Sequence, residues 1–207
     1  MVRPLAAQVD RRLHRRLSGR AAAAERTGLS AGSAGAVSLC LIRHTRVAAS
    51  GLCYGRLDVP LADSFAEEAQ AVREALARQF PAGLPPIWSS PSLRCRSLAE
   101  TLEAPFKIDA RLQELNFGEW EGLTWTELDS PTARHWGDNW QTAAPPDGES
   151  LPELLERLRA FLAELGETDA ILLTHAGPIR ALHHLLLGEP LEAAFRRPVG
   201  HGELLCL

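Results

Sequence analysis

The sequence predicts a three-layer αβα sandwich with a mostly parallel central sheet. Three short apolar runs of strand length, at residues 37–42, 85–90 and 170–174, alternate with longer segments that carry apolar residues at helical spacing. Such alternation is typical of α/β proteins, in which helices cover both faces of a parallel sheet. Ligands in these folds bind beyond the carboxyl ends of the strands, so the residues that follow the runs are candidates for a functional site.

Four helices are predicted between and after these strands, on the basis of apolar periodicity and of the Ser, Pro and Gly residues at their ends. They cover residues 64–80, 91–102, 150–165 and 178–187. On the second of them, Leu93, Leu98 and Leu102 are expected to face the core. A last strand is predicted at residues 203–207.

The composition indicates one folded domain with an N-terminal extension. The chain has 207 residues, of which 45% are hydrophobic and 23% charged, as expected for an ordinary globular protein. Residues 1–35 are rich in Arg, Ala, Ser and Gly and carry a net charge of +5, so we expect a flexible extension there. Residues 36–207 form the predicted domain and carry a net charge of −9, which argues against a nucleic-acid partner.

The sequence favours a cytoplasmic protein without a structural metal. Its four cysteines form no CxxC pair, and nothing resembles a secretory leader, which fits a reducing compartment. No apolar run approaches the roughly 18 to 20 residues that span a bilayer, so no membrane partner is expected. His183 and His184 are adjacent on a predicted helix and therefore diverge by about 100°, which disfavours joint metal binding.

Charged and titratable side chains follow three of the predicted strands. Arg43 and His44 end the first, Arg94 follows the second, and His175 follows the third. Arginine pairs well with phosphate oxygens because its planar fork donates charge-assisted hydrogen bonds. An unprotonated imidazole can attack phosphorus and form a covalent intermediate, which divides one difficult displacement into two easier ones. A small-molecule phosphate ester is therefore the expected ligand.

Four sequence blocks carry a resemblance to a known family. Arg43-His44-Thr45 resembles the RHG motif of the histidine phosphatase, or phosphoglycerate mutase-like, superfamily. Residues 89–95 (SSPSLRC) resemble its SSPLxRA element, residues 114–122 (ELNFGEWEG) its E-x-x-FGxWEG element, and residues 174–177 (THAG) its late histidine motif. The blocks occur in the family's order, and together they extend over most of residues 37–207.

The resemblance implies a phosphoglycerate mutase-like fold and a phosphatase that needs no metal or cofactor. It implies that His44 is the nucleophile, that Arg43 and Arg94 clamp the phosphate, and that His175 is a second histidine of the phosphate pocket. Glu114 is implied as the acid that protonates the leaving oxygen. Glu119 stays open as an alternative acid.

The chain departs from the family pattern beside the nucleophile. Thr45 replaces the usual Gly, Arg46 replaces a common acidic residue, and Ser50 stands where a phosphate-binding Asn is often found. Because the Ser50 hydroxyl still offers one hydrogen-bond donor, the pocket is expected to be altered and not lost. Tyr54 is a further candidate for substrate binding.

Other segments resemble the α-ribazole phosphatase branch of the family. They are residues 51–61, the pair Trp136 and Trp140, and residues 145–150. That branch would remove phosphate from α-ribazole 5'-phosphate or adenosylcobalamin 5'-phosphate in cobalamin biosynthesis. The segment 123–144, which contains three of the chain's tryptophans, is expected to form a lid that selects the leaving group.

Three other functions remain open at this point. The first is a broad-specificity or sugar-phosphate phosphatase. The second is a phosphoglycerate mutase, although the chain lacks the longer insertions of that branch. The third is an inactive phosphate-binding module recruited through a basic tail. The sequence also leaves a homodimer open.

Overall fold

The structure is a computed structural model that describes residues 39–207. The predicted extension at residues 1–35 lies outside the described residues. The strands are β1 (Leu39–Arg43), β2 (Ile87–Ser89), β3 (Phe106–Ile108), β4 (Ala170–Thr174) and β5 (Leu204–Cys206). The helices are α1 (Phe65–Gln79), α2 (Leu93–Glu100), α3 (Pro131–Asp138), α4 (Leu151–Leu165), α5 (Ala176–Leu187) and α6 (Leu191–Arg196), with 3₁₀ turns at Ala110–Leu112 and Gly118–Trp120.

The five strands form one sheet in the order β3-β2-β4-β1-β5. The pairs β3–β2, β2–β4 and β4–β1 are parallel, and only β5 runs antiparallel to its neighbour β1. The predicted α/β fold with a mostly parallel sheet is therefore confirmed. The carboxyl ends of β2, β4 and β1 lie side by side at one edge of the sheet.

Helices pack on both faces of this sheet, because the side chains of each strand alternate between the faces. Leu41 of β1 and Leu172 of β4 belong to a core cluster shared with α4 and α5. Ile42 and Leu173, the next residues of the same strands, belong to a second cluster shared with α1 and α2. Both faces are apolar, which explains why β1 and β4 appear in the sequence as continuous hydrophobic runs.

Helix α4 begins and ends at the residues that the sequence indicated. The Ser150 hydroxyl accepts a hydrogen bond from the backbone N–H of Glu153, while the Glu153 carboxylate accepts one from the backbone N–H of Ser150. This reciprocal capping box satisfies two N–H groups that the helix leaves free. At the other end Gly166 has a φ of 66°, a value that glycine adopts readily.

The predicted orientation of α2 is wrong at Leu93. This side chain is 37% exposed, whereas the neighbouring Arg94 is only 1% exposed. Leu98 and Leu102 are buried as expected. The first turn of α2 turns its inner side toward the end of the sheet and not toward the apolar core, so a charged side chain occupies the buried position.

Three elements of eight residues or fewer were not predicted. They are β3, α3 and α6. β3 has only three residues, and Ile108 at its end is 53% exposed. α3 has no buried residue of its own. The remaining differences are small shifts at the ends of predicted elements, such as the start of α5 at Ala176.

A disulfide joins the two ends of the described chain. Cys40 of β1 and Cys206 of β5 face each other across the antiparallel pair and are bonded. The other two cysteines, Cys53 and Cys95, are free and buried. A disulfide differs from what the reducing compartment favoured by the sequence would lead one to expect. None of the helices in the described part of the chain has the length and apolar character that a bilayer span requires.

Candidate active site

Three strand ends bring the candidate side chains to one edge of the sheet. His44 follows β1, Ser90 follows β2, and His175 follows β4. The backbone N–H of His44 donates to the Thr174 carbonyl (3.0 Å), and that of Ser90 donates to the Leu173 carbonyl (2.9 Å). These bonds continue the parallel pairing one residue past the strands and hold the three segments together.

His44 presents an unprotonated nitrogen at neutral pH. Its side chain is buried, and Nδ1 lies 2.6 Å from the Thr45 carbonyl oxygen. A carbonyl can only accept a hydrogen bond, so Nδ1 carries the proton of the neutral ring and Nε2 has a free lone pair. Burial, followed by the positive charge of Arg94, holds the pKa of His44 well below 6.5. The ring is thus suited to nucleophilic attack through Nε2.

His175 is fully buried behind the nucleophile. Its ring centroid lies 5.2 Å from that of His44. The Arg94 Nε–H donates to Nδ1 of His175 (3.3 Å), so the remaining nitrogen, Nε2, carries the proton and donates to the Ser90 hydroxyl oxygen (2.8 Å). Burial is the main cause of the lowered pKa of His175. In this arrangement both nitrogens contact protein groups, and His175 orients Arg94.

Backbone carbonyls hold Arg94 in place, and some of its N–H groups remain unused. Its terminal nitrogens donate to the carbonyls of Gly55 (2.6 Å) and Leu57 (3.1 Å). Together with the bond to His175, these contacts use three of the five N–H groups of the guanidinium. Two N–H groups remain for an anion. The guanidinium also lies over the ring of Tyr54, at 5.2 Å from its centroid.

Arg43 is the second guanidinium beside His44. One terminal nitrogen donates to the Val199 carbonyl (2.6 Å), and the buried Nε has no hydrogen-bond partner within residues 39–207. Burial lowers the pKa of Arg43 from its usual value. A half-buried guanidinium with an unused, buried N–H group favours an anionic ligand at this position.

Glu114 closes the site from the opposite side, and its carboxylate is fixed by backbone groups. Oε1 accepts from the N–H of Leu115 (3.0 Å), and Oε2 accepts from the N–H of Gly177 (3.2 Å) in the first turn of α5. Glu119, the alternative acid, is exposed. Glu121 accepts from the backbone N–H groups of the distant Arg56 and the nearby Phe117 and therefore has a structural role.

These side chains surround a cavity of about 200 Å³, which we call the phosphate cavity. Its walls include the predicted residues Arg43, His44, Tyr54, Arg94 and Glu114. Ser50 is exposed and does not contribute to the wall, and neither does the buried His175. Three further wall residues, Leu52, Phe117 and Trp125, lie in segments that carry the family resemblance or the predicted lid but were not singled out as site residues.

A larger cavity of about 460 Å³ lies next to the first, and we call it the aromatic cavity. The two cavities share Glu114 and Phe117 as wall residues. Trp136 of α3 and Trp140 are part of its wall, so the segment predicted as a lid lies beside the site. Phe195 of α6 packs on Trp140 with ring centroids 5.0 Å apart.

The turn before β5 contacts the nucleophile, and sequence analysis missed it. The His201 ring lies 5.4 Å from the His44 ring. The backbone N–H of Gly202 lies within hydrogen-bonding distance of the carbonyls of Arg43 (3.0 Å) and His44 (3.3 Å). Burial and the charge of Arg43 lower the pKa of His201 to about 4. No local sequence signal marks these residues, because their partners lie at the other end of the domain.

The described residues contain no group of three or more His, Cys, Asp or Glu side chains placed to hold a metal ion. A free imidazole nitrogen and two guanidinium groups with unused N–H donors line one small cavity with a carboxyl group. Such a set can bind a phosphoryl group, attack it and exchange a proton with the departing oxygen.

The buried histidines should make the stability of the fold depend on pH. The folded-state pKa values of His44 and His175 lie well below 6.5, so below that pH the unfolded chain binds more protons than the folded one. We expect the free energy of unfolding to fall as the pH drops below about 6.5, by up to about 1.4 kcal/mol per pH unit for each histidine. Urea denaturation at pH 7.5 and 5.5 measures this.

The titration of carboxylates has little effect on the comparison of unfolding free energies at pH 7.5 and 5.5. The lowered pKa values of Glu68 and Asp109 start from ordinary values of 4.5 and 3.8, so their stabilisation is lost only at lower pH. Equal free energies of unfolding at pH 7.5 and 5.5 would contradict the neutral, buried state of the two histidines.

Gly177 should be sensitive to the smallest side chain. A Cβ atom at this position would lie 2.2 Å from Oε1 of Glu114, well inside van der Waals contact. We expect Gly177→Ala to displace the carboxyl group and to lower kcat by about 10²-fold or more, in the range of a lost general acid. Steady-state kinetics with a phosphomonoester measures the loss. If both changes disable the same group, adding Glu114→Gln to Gly177→Ala should lower kcat little further.

Comparison with known proteins places this geometry in a family. Residues 39–207 match the model of the "Histidine phosphatase superfamily (branch 1)". A glucosyl-3-phosphoglycerate phosphatase of Mycolicibacterium vanbaalenii is 34% identical over 174 residues, which cover 74% of this chain and 76% of the relative. An adenosylcobalamin/alpha-ribazole phosphatase of Escherichia coli is 29% identical over 174 residues, covering 79% and 86%.

A solved structure supports the same placement. The alpha-ribazole phosphatase of Shigella flexneri superposes with a TM-score of 0.75 at 27% sequence identity. The alignment covers 82% of this chain and 89% of that one. Relatives with two different substrate names are therefore similar to this chain, and both groups are phosphatases.

Proposed function

The chain belongs to the histidine phosphatase superfamily, and we propose that it is a metal-independent phosphomonoesterase that works through a phosphohistidine at His44. One observation carries the proposal. His44, whose Nε2 is unprotonated, lines a cavity whose wall also contains Arg43, Arg94 and Glu114. The nucleophile, the anion clamps and the acid thus share one cavity of about 200 Å³.

In the first step, Nε2 of His44 attacks phosphorus and the bond from phosphorus to the leaving oxygen breaks. Glu114, in its protonated form, gives its proton to that oxygen, and the alcohol departs. Arg43 and Arg94 stabilise the charge on the other phosphoryl oxygens as it redistributes. The proton stays on Nδ1 of His44, where it is hydrogen-bonded to the Thr45 carbonyl. The phosphorylated ring therefore carries a positive charge that weakens the new N–P bond.

In the second step, water attacks the phosphohistidine. Glu114, now a carboxylate, accepts a proton from the water as the N–P bond breaks. The electron pair of that bond returns to Nε2, and inorganic phosphate leaves. Both groups are then in their starting states, and the net reaction is hydrolysis of the ester.

We propose α-ribazole 5'-phosphate or adenosylcobalamin 5'-phosphate as the substrate. The flat, apolar benzimidazole of these compounds suits the aromatic cavity, where Phe117, Trp136 and Trp140 are part of the wall. The similarity to adenosylcobalamin/alpha-ribazole phosphatase supports this choice. A second candidate is a sugar-linked phosphoglycerate, which is favoured by the 34% identity to a glucosyl-3-phosphoglycerate phosphatase.

Phosphate release from a substrate panel tests the proposal. The full-length protein would be assayed with EDTA present against α-ribazole 5'-phosphate, glucosyl-3-phosphoglycerate and simple phosphomonoesters. The highest kcat/KM for the α-ribazole compound supports the proposed substrate, whereas the highest value for glucosyl-3-phosphoglycerate selects the second candidate. Loss of all activity in EDTA would overturn the metal-independent mechanism.

A further inference from the structure

Arg180 is a charged residue of the aromatic cavity to which the mechanism assigns no role. It lies on α5, one helical turn after Gly177, and is half-buried. Its Nε–H donates to the Arg197 carbonyl (3.0 Å), and this bond anchors the side chain. The two terminal nitrogens of the guanidinium take no part in the bond. Both Gly177 and Arg180 belong to the wall of the aromatic cavity.

The positive charge of Arg180 has no ion-pair partner within residues 39–207. Two carboxylates share the cavity wall, but both are engaged elsewhere. Glu114 accepts from the backbone, and Glu192 accepts from the side-chain amide of Gln141 (3.1 Å). The charge of Arg180 also contributes to the lowered pKa of Arg43, which shows that the two cations repel each other.

A half-buried guanidinium without a counter-ion favours an anionic ligand, because partial removal from water is compensated only by a charge of opposite sign. The phosphate cavity does not supply that ligand to Arg180, since Arg180 is not part of its wall. The anion must instead come from whatever occupies the aromatic cavity. Glu114 belongs to both cavities, so the alcohol that it protonates would extend into this space.

We propose that Arg180 is a specificity-determining residue that binds an oxyanion on the leaving alcohol of the substrate. This inference rests on the proposed phosphatase function. The spacing on α5 places Arg180 near Glu114, because Gly177 holds Glu114 and Arg180 follows one turn later. The preferred ester thus carries a second negative group on its alcohol, with an apolar or ring-shaped portion against the aromatic walls. The glycerate carboxylate of the second candidate substrate meets this condition, whereas the alcohol released from α-ribazole 5'-phosphate is uncharged, so the inference favours the second candidate.

Three aryl phosphates that differ in one group test this assignment. Phenyl phosphate has a neutral leaving group, 3-carboxyphenyl phosphate carries a planar carboxylate, and 3-sulfophenyl phosphate carries a tetrahedral sulfonate. We expect the wild-type protein to prefer one or both anionic esters in kcat/KM over phenyl phosphate. The better of the two identifies the geometry of the oxyanion.

Arg180→Gln should reduce this preference about 10- to 100-fold, the range expected for a charge-assisted hydrogen bond. Arg78→Gln is the matched control, since Arg78 is an exposed arginine at the end of α1, on the other face of the sheet. It should leave the preference unchanged. A proportional loss for all three esters in Arg180→Gln would show a structural role and overturn the proposal, as would a wild-type protein without any preference.

Binding of the product alcohol separates this proposal from the catalytic one. Titration calorimetry with 3-hydroxybenzoate requires no turnover, and we expect the same 10- to 100-fold weakening in Arg180→Gln. If the protein released no phosphate from phenyl phosphate yet bound 3-hydroxybenzoate through Arg180, the proposed function would fail and the anion site would stand. Equal affinity of wild type, Arg180→Gln and Arg180→Lys would overturn the anion site.

Discussion

Replacing His44 with alanine is expected to lower phosphatase activity by about 10⁴-fold or more, the size of loss seen when an enzymatic nucleophile is removed. The reason is that Nε2 of His44 would form the covalent bond to phosphorus, and none of the other wall residues of the phosphate cavity is a histidine, cysteine or serine. Steady-state phosphate release measures the loss. Rapid quenching of the wild-type protein with ³²P-labelled substrate should also trap an acid-labile phosphohistidine, which His44→Ala should lack.

The exposed His135 provides a control for this experiment. His135→Ala should retain both the label and the activity. Circular dichroism and urea denaturation would show whether His44→Ala still folds, as the loss of one ring at the end of the sheet should allow. Normal activity in a folded His44→Ala protein would rule out the phosphohistidine mechanism.

Replacing Glu114 with glutamine is expected to lower kcat by about 10²- to 10⁴-fold for esters of ordinary alcohols, the usual contribution of a general acid. Glutamine has nearly the same shape and can still accept from the Gly177 N–H, but it has no proton to give. The loss should be smaller for 4-nitrophenyl phosphate, because 4-nitrophenolate leaves without protonation. Comparing kcat for the two kinds of ester measures the difference.

Glu119→Gln is the matched control, because Glu119 is exposed and lies outside both cavities. It should change kcat little for either kind of ester. If Glu119→Gln were the slow variant and Glu114→Gln the normal one, the acid would have been assigned to the wrong carboxyl group. An equal loss for both kinds of ester in Glu114→Gln would mean that Glu114 positions the substrate and does not protonate it.

Sequence alone predicted the part of the molecule that depends on local patterns. The apolar runs of β1 and β4 marked buried strands, and parallel strands end at the same edge of a sheet. Residues that follow such runs, such as His44 and His175, were therefore expected to lie near each other, and their rings are 5.2 Å apart. Their catalytic roles remain predictions until the variants are measured.

Long-range contacts account for what sequence analysis missed. Nothing near His201 in the chain indicates that its ring packs on His44, and the Val199 carbonyl that binds Arg43 is 156 residues away. The orientation of Leu93 was wrong for a related reason. The buried side of the first turn of α2 is lined by polar groups of the site, so apolar periodicity gives the wrong face there.

The weakest predictions concerned segments with little buried surface. α3 has eight residues and none of them is buried, so it adds nothing to the apolar core. Its position beside the site depends on ring contacts, such as Trp136 with Trp120 at 5.5 Å between centroids. Ser50 was expected to contact phosphate through a motif position, but the turn that contains it faces solvent.

The order of strands in the sheet has a consequence for synthesis on the ribosome. The strand that leads to His44 is the first described strand to emerge, yet its two sheet neighbours, β4 and β5, are the last. Cys40 cannot form its disulfide until a cysteine 166 residues further along the chain has been synthesised. Because such distant pairings form slowly, the nascent chain exposes an apolar strand for most of its translation. His44 cannot acquire its surroundings in the proposed active site until nearly the whole domain has been released, so incomplete chains should be inactive.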